Sequence, residues 1–510
     1  MSREHRSRPR TRRQLLQGAA GAAAGLAVAG EALAAPGLGL AGGAFPALPS
    51  KLTGRIGTAV DVRSIPDFRP PVVNVGQGNP APGYVFMAPQ INATSQSGAM
   101  IVDGTGQPVW FNPVINSDWV ANFQLTAYRN EPVIQWWHGK SVLTGVGPTG
   151  YGVGLGVIAD RTYREVGRVV AANGRTLDMH ELQVTPEGTA LFMCTPHSVA
   201  MDLTDVGGPR DGQVLEAVIQ EVEISSGKLL MEWHGLDHIG VSESYLPFKK
   251  EPYDYLHANS IDVTPDGNLL VSGRHTWTLY KISRRSGEVM WRMGGRRSNF
   301  EIERAARWAW QHDARQVAHG VITLFDNASD GFSWPEAPQS RGVELAVDWA
   351  HRRVKLRARY CHPRPILAVE MGNVQTLPDG HLIVSWGNWG VLSEFDADET
   401  WLADASMRCL TYRAFRFPWT GIPAAPPALT AGRLGKLGKV TLYASWNGDT
   451  QTMYWRVFSG SSSAHLRPVG VATRRGFETA ILVPSPDRYL AVAALDARGR
   501  QLIRSQPIQI

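Results

Sequence analysis

A turn of the Pro-Asp-Gly type followed by a short apolar strand recurs through the middle of this chain, and few architectures accommodate such a repeat. It reads Val184-Thr185-Pro186-Glu187-Gly188, Val263-Thr264-Pro265-Asp266-Gly267 and Thr376-Leu377-Pro378-Asp379-Gly380. The strands that follow are Ala190-Leu191-Phe192-Met193, Leu269-Leu270-Val271-Ser272 and Leu382-Ile383-Val384-Ser385. Proline presets the first turn dihedral and glycine takes the left-handed position, so each phrase reads as a corner between strands. A second phrase, a turn leading to a tryptophan, runs from Asp103 to Trp110, from Ser226 to Trp233 and from Ser286 to Trp291. Four-stranded units of about 40–60 residues with such marks are the signature of propeller blades.

A polar residue precedes the first strand of each unit. These are Asn122, His180, Asn259, His312 and Asn373, spaced by 58, 79, 53 and 61 residues. A unit around Gly83-Tyr84-Val85-Phe86-Met87 brings the count to six, with seven blades as the main rival. The fold expected is therefore all-β: a six-bladed β-propeller over 83–420, then a small C-terminal immunoglobulin/fibronectin-like β-sandwich over 431–510. The Pro-rich stretch 421–430 reads as the linker between them, and 36–82 as a linker and N-terminal extension. The 53 Gly, 33 Pro and 17 Trp among 510 residues suit turns and half-buried strands better than helices.

Residues 1–35 read as a twin-arginine signal peptide. Thr11-Arg12-Arg13-Gln14-Leu15-Leu16 precedes a mildly apolar Ala/Gly run and the small residues Ala32-Leu33-Ala34, with cleavage expected near Ala34 or Ala35. The mature protein is expected to be secreted or periplasmic, where activated nucleotide donors are scarce. The formal net charge of +6 comes mainly from this leader, because removing its six Arg and two Glu leaves 45 basic and 43 acidic residues. Charge therefore makes no case for nucleic-acid binding. No apolar run beyond the N-terminus is long enough to embed the chain in a membrane. Three cysteines (Cys194, Cys361, Cys409) without CxxC spacing exclude a disulfide scaffold and a zinc finger. Gly152-Val153-Gly154-Leu155-Gly156 is followed by no helix pattern, so it reads as a tight β-turn and not a phosphate loop.

In a propeller the first strands line one axis, so residues tens of positions apart converge. That argument gathers His180, Asn259 and His312, and His257 joins them two residues before Asn259 at strand period. Arg274 follows on the next strand, whereas His275 is expected to alternate away from it. Three imidazoles and a guanidinium admit a metal triad or nucleophilic and acid–base catalysis on an anionic group. Arg274 argues against the metal, since a fixed cation beside a dication is costly in a confined site. Trp310, with Trp308, could stack an aromatic ligand or simply pack the core.

These residues resemble the bacterial arylsulfate sulfotransferases. The resemblance rests on Leu256-His257-Ala258-Asn259-Ser260-Ile261-Asp262, Ser272-Gly273-Arg274-His275 and Trp308-Ala309-Trp310-Gln311-His312-Asp313, with His180 a weaker match. It implies transfer of a sulfuryl group from a phenolic sulfate ester to a phenolic acceptor, with no nucleotide donor and no cofactor. It also implies that His312 is the histidine transiently sulfated. His257, Arg274 and His180 would bind the sulfuryl oxygens and help move protons, and Asn259 would be a supporting contact. A non-catalytic propeller that binds an anionic ligand and a metal-dependent hydrolase or lyase remain the alternatives.

Overall fold

The computed structural model describes residues 59–510 apart from 77, 79, 91–94, 116–117, 144–149, 332, 334, 435–438 and 485, and it also describes Gly43–Ala44. The leader over 1–35 lies outside the described residues, as does the first part of the 36–82 stretch. The protein is all-β: about half the chain is strand, and the helical elements among the described residues are three-residue 3-10 turns. Among the described residues no helix is long and apolar enough to cross a membrane.

Six strands organise the larger part. They are β1 (Trp119–Tyr128), β2 (Leu177–Val184), β3 (Ala258–Val263), β4 (His312–Ala318), β5 (Asn373–Thr376) and β6 (Ala414–Phe417). Each touches the next, and β6 touches β1, so the chain comes round on itself. From each of β2 to β5 the chain continues outward through three antiparallel strands, as in β3, Leu269–Gly273, Thr278–Ile282 and Val289–Gly294. Leu177 pairs with Gly154, which joins the β1 and β2 units into one eight-stranded sheet.

The unit containing Tyr84–Met87 takes its innermost strand from far along the chain. β6 pairs antiparallel with Tyr84–Met87, which continues to Gly98–Val102 and Pro108–Pro113. Hydrogen bonds thus join strands from the two ends of this part of the chain. From residue 59 onward the N-terminal extension is packed: Asn74–Val75 pairs with Ser406 and Ala405, and Val60, Val62 and Phe68 share a core with Phe111, Ile383 and Phe477.

The strand-start anchors divide into two kinds. Asn122 Nδ2 donates to the Met179 carbonyl (2.6 Å), Asn259 Nδ2 to the Gln311 carbonyl (2.7 Å) and Asn373 Nδ2 to the Ala414 carbonyl (2.9 Å). Each amide binds one inner unit to its neighbour, whereas the histidine anchors turn to other work. At the centre lies a largely buried ion network. Arg413 donates to Asn122 Oδ1 (2.7 Å), Glu181 Oε1 (3.1 Å) and the Asn259 carbonyl (2.9 Å), and its Nε lies 3.2 Å from Asp313 Oδ1. Arg315 pairs with Glu181 Oε2 and Asp313 Oδ1, both at 2.6 Å. Two cations and two anions therefore neutralise one another while touching β1, β2, β3 and β4.

The glycine-rich stretch at 152–156 is not the expected turn. It lies inside the strand Gly150–Ala159, where the Trp137 indole covers it. A Cβ on Gly152 would sit 2.4 Å from Trp137 Cζ2, so the glycines make room for a ring. Beyond the ring, Ala428–Leu434, Lys439–Ser445 and Glu478–Pro484 form one sheet, and Tyr454–Ser462, His465–Thr473, Tyr489–Leu495 and Gln501–Arg504 lie in another. Leu442, Ala444, Ile481, Trp455, Val457 and Val492 fill one core shared by both. A strand already begins at Ala428, so the stretch read as a linker over 421–430 is partly ordered sheet.

Candidate active site

Four of the residues singled out by sequence are buried alike: His180, His257, Arg274 and His312 each keep only 3% of their surface exposed. The rings of His180 and His257 meet edge to face at 4.8 Å. Tyr412, just before β6, packs against both His180 (5.6 Å) and His312 (6.4 Å) and lies beside the Arg413 network. Arg274 and His312 are joined through one short loop. Arg274 Nη2 donates to the Val369 carbonyl (2.9 Å), and two residues later the Met371 N–H donates to His312 Nε2 (3.3 Å).

Backbone strain concentrates here. Each of β1 to β4 has an irregular register close to its start. His257, Trp310, Asp313 and Met371 hold φ of 46°, 58°, 55° and 64°. Bulky side chains avoid this region, so its repeated use around one cluster is characteristic of a functional site.

The hydrogen bonds assign the imidazole tautomers. His180 Nδ1 donates to Asp178 Oδ2 (2.5 Å), and Asp178 Oδ1 is held by the Gly152 N–H (2.6 Å). His257 Nδ1 donates to Asp254 Oδ2 (2.8 Å) and lies 2.7 Å from the Tyr151 hydroxyl, which itself donates to Asp254 Oδ1 (2.8 Å). His312 Nδ1 donates to Asn327 Oδ1 (2.7 Å), whose amide is oriented by the carbonyls of Ala368 and Met371. In all three Nδ1 carries a proton, and in His257 and His312 this leaves the Nε2 lone pair as the reactive position. Burial, with the nearby charges of His180 and Arg274, holds His257 well below the usual histidine range. Burial and Arg274 do the same for His312. Both imidazoles are therefore neutral at pH 7, and burial keeps the Tyr151 hydroxyl protonated.

His275 belongs to this cluster, contrary to the alternation argument. Residues 274–277 form a turn, not a strand, so period-two reasoning does not apply. The His275 ring stacks on His257 at 4.8 Å, its Nδ1 donates to the Asp254 carbonyl (2.6 Å), and its Nε2 accepts from Arg274 Nη1 (2.9 Å). Burial lowers its pKa to about 3, so it remains an acceptor and fixes the guanidinium. Trp310 lies edge-on to His275 with the Arg274 guanidinium 5.3 Å from its ring, whereas Trp308 is part of an apolar core. Asn259 has its amide nitrogen committed to the Gln311 carbonyl; its Oδ1 has no hydrogen-bond partner among the described residues.

Asp178, Asp254, Tyr151, Asn327 and His275 were not selected from sequence. Asp178-Met179-His180 and Asp254-Tyr255-Leu256-His257 carried a usable signal, an aspartate two or three residues before a histidine. Asp254, His257 and His275 bring ligand-type atoms within 4.8 Å of one another. Those atoms already face one another or Tyr151, and Arg274 touches His275, so a dication there would meet a fixed positive charge. Cys194 and Cys409 are buried thiols pushed up to about 12 by burial, which makes them poor nucleophiles.

No curated protein matches the chain. Among solved structures, a protein of unknown function from Bacteroides caccae is 14% identical, covers 66% of this chain and 99% of its own, and has a TM-score of 0.38. Virginiamycin B lyase from Staphylococcus aureus is 9% identical over 81% of this chain and 98% of its own, with a TM-score of 0.32. Likenesses at this level carry no argument about chemistry. The informative match is to a family, Arylsulfotransferase (ASST), over residues 124–408. That span is more than half the chain and includes His180, His257, Arg274, His275 and His312; the chain belongs to the arylsulfotransferase family.

Proposed function

We propose that the protein is an exported enzyme that moves a sulfuryl group from an aryl sulfate to a phenol through a sulfohistidine on His312. The reading rests on one observation above all. A neutral, tautomer-fixed imidazole is bridged by the Val369–Met371 loop to a guanidinium that is itself held by His275. Sulfuryl transfer resembles phosphoryl transfer, with a loose transition state and charge on the peripheral and leaving oxygens. His312 Nε2 attacks sulfur in line, and the departing group takes the electron pair of the S–O bond. The long 3.3 Å contact from the Met371 N–H is one that an incoming sulfuryl oxygen can take over. Arg274 stabilises the charge that develops on the sulfuryl oxygens. His180 and His257 line the site with their Nε2 atoms, and a phenol then attacks sulfur and returns the electron pair to His312.

The architecture that fits is a six-bladed propeller over 83–420, supported by the cyclic contacts of β1 to β6, with a β-sandwich over 431–510. Export is supported by the leader pattern over 1–35, and a donor that needs no nucleotide suits that location. The test is phenol release by purified protein from a chromogenic aryl sulfate. Release should accelerate when a phenolic acceptor is added, and EDTA should leave it unchanged. Turnover abolished by chelation and restored by zinc would overturn this reading in favour of a metal-dependent hydrolase.

A further inference from the structure

The carboxylates around the cluster are engaged, with one exception. Asp178 holds His180, Asp254 holds His257 and Tyr151, and Glu181 and Asp313 hold Arg413 and Arg315. Asp330, which acts on Arg274 through its charge, accepts from the Ser333 N–H (2.7 Å) and hydroxyl (3.1 Å). Glu370 differs. It lies between Val369, whose carbonyl holds Arg274, and Met371, whose N–H reaches His312. Its side chain is partly buried and makes no hydrogen bond or ion pair with any described residue, while the charges of Arg274 and His180 reach it. Burial raises its pKa, with Arg274 and His180 opposing in part, so it keeps its proton to a higher pH than an ordinary glutamate.

The reaction needs a proton at the phenolic oxygen, and His257 and His312, both held neutral by burial, do not supply it. Their only N–H is turned away, toward Asp254 or Asn327, and the Nδ1–H of His180 is engaged by Asp178. Arg274 does not give up a proton at any working pH. We propose that the Glu370 carboxyl is the acid–base group of the transfer, an inference that rests on the proposed sulfotransferase reading. In the donor half-reaction the N–S bond to His312 forms and the S–O bond to the aryl group breaks. The phenolic oxygen takes that electron pair together with the Glu370 proton. In the acceptor half-reaction the Glu370 carboxylate takes the proton of the incoming phenol. The new S–O bond forms, and the N–S electron pair returns to His312.

The leaving group supplies the test. Single-turnover phenol release is measured for wild type and Glu370→Gln with a series of donors running from 4-nitrophenyl sulfate to phenyl sulfate. A good leaving group needs little acid, so the variant should slow nitrophenyl sulfate less than about 5-fold and phenyl sulfate by on the order of 100-fold or more. Equal slowing across the series, the signature of a displaced loop, or unchanged rates would overturn the proposal. If Glu370→Gln loses its cooperative melt, Glu370→Asp takes its place. It should slow phenyl sulfate selectively, and uniform rates would again refute the role. The two readings fail separately: wild type that never sulfates His312 removes both, whereas normal sulfation with an unaltered leaving-group dependence in the variant removes Glu370 alone.

Discussion

Arg413→Met removes one charge from the centre of the ring. The wild-type network is neutral, with Arg413 and Arg315 facing Glu181 and Asp313, and three of the four side chains are at most 1% exposed. Arg315 remains in the variant and still reaches both carboxylates, so one buried negative charge is left uncompensated. Three hydrogen bonds, to Asn122, Glu181 and the Asn259 carbonyl, go with it. Breaking a buried pair on one side costs about 3–5 kcal/mol. For roughly 450 folded residues, an unfolding entropy of about 2.1 cal/mol/K per residue converts that into a fall of about 4 °C in melting temperature. Adding Glu181→Gln makes the network neutral again, with Arg315 facing Asp313. The double variant should therefore recover about half of the loss, a coupling that a mutant cycle reads directly. Calorimetric melts of the four proteins settle the matter. A single variant within about 1 °C of wild type, or strictly additive losses in the double variant, would refute the claim that this network ties the ring together.

Three further outcomes follow from the site. His257 and His312 have folded-state pKa values pushed down by burial, so their stabilisation is complete above about pH 6.5 and is lost as pH falls toward the folded values. Melting temperature should drop between pH 6.5 and 5, and less steeply in His257→Gln; an unchanged slope in that variant would contradict the buried neutral assignment. Asn327→Ala frees the His312 tautomer and should lower kcat by about 10–100-fold with little change in KM, the loss of one well-placed hydrogen bond. A rise in KM alone would show that Asn327 acts elsewhere. Arg274→Lys keeps a charge but cannot reach His275 and Val369 together while facing substrate, so it should impair turnover and not abolish it; wild-type rates would remove Arg274 from the chemistry.

Much of the all-β fold was legible because its signals are local. Pro-Asp-Gly corners and apolar strands obey short-range rules, and the anchors Asn122, Asn259 and Asn373 mark strand starts because each amide must bind the next unit. What was misread depends on distant partners. Gly152 and Gly154 read as a turn locally, yet a tryptophan from the neighbouring strand dictates them. Alternation failed at His275 because the chain had already left the strand at Gly273. Asn327 lies on the far side of a hairpin from His312, and Arg413 reaches Asn122 across 291 positions. No sequence period connects such pairs.

Mass spectrometry of the protein mixed with an aryl sulfate in the absence of acceptor tests the central claim most directly. Peptide mapping under conditions that preserve the N–S bond should find one added sulfuryl group on His312. That group should vanish when a phenol is added, and His312→Asn should never acquire it. A sulfuryl group on His257 or His180 with His312 unmodified would contradict the account, because the nucleophile would then be one of the imidazoles assigned here to line the site.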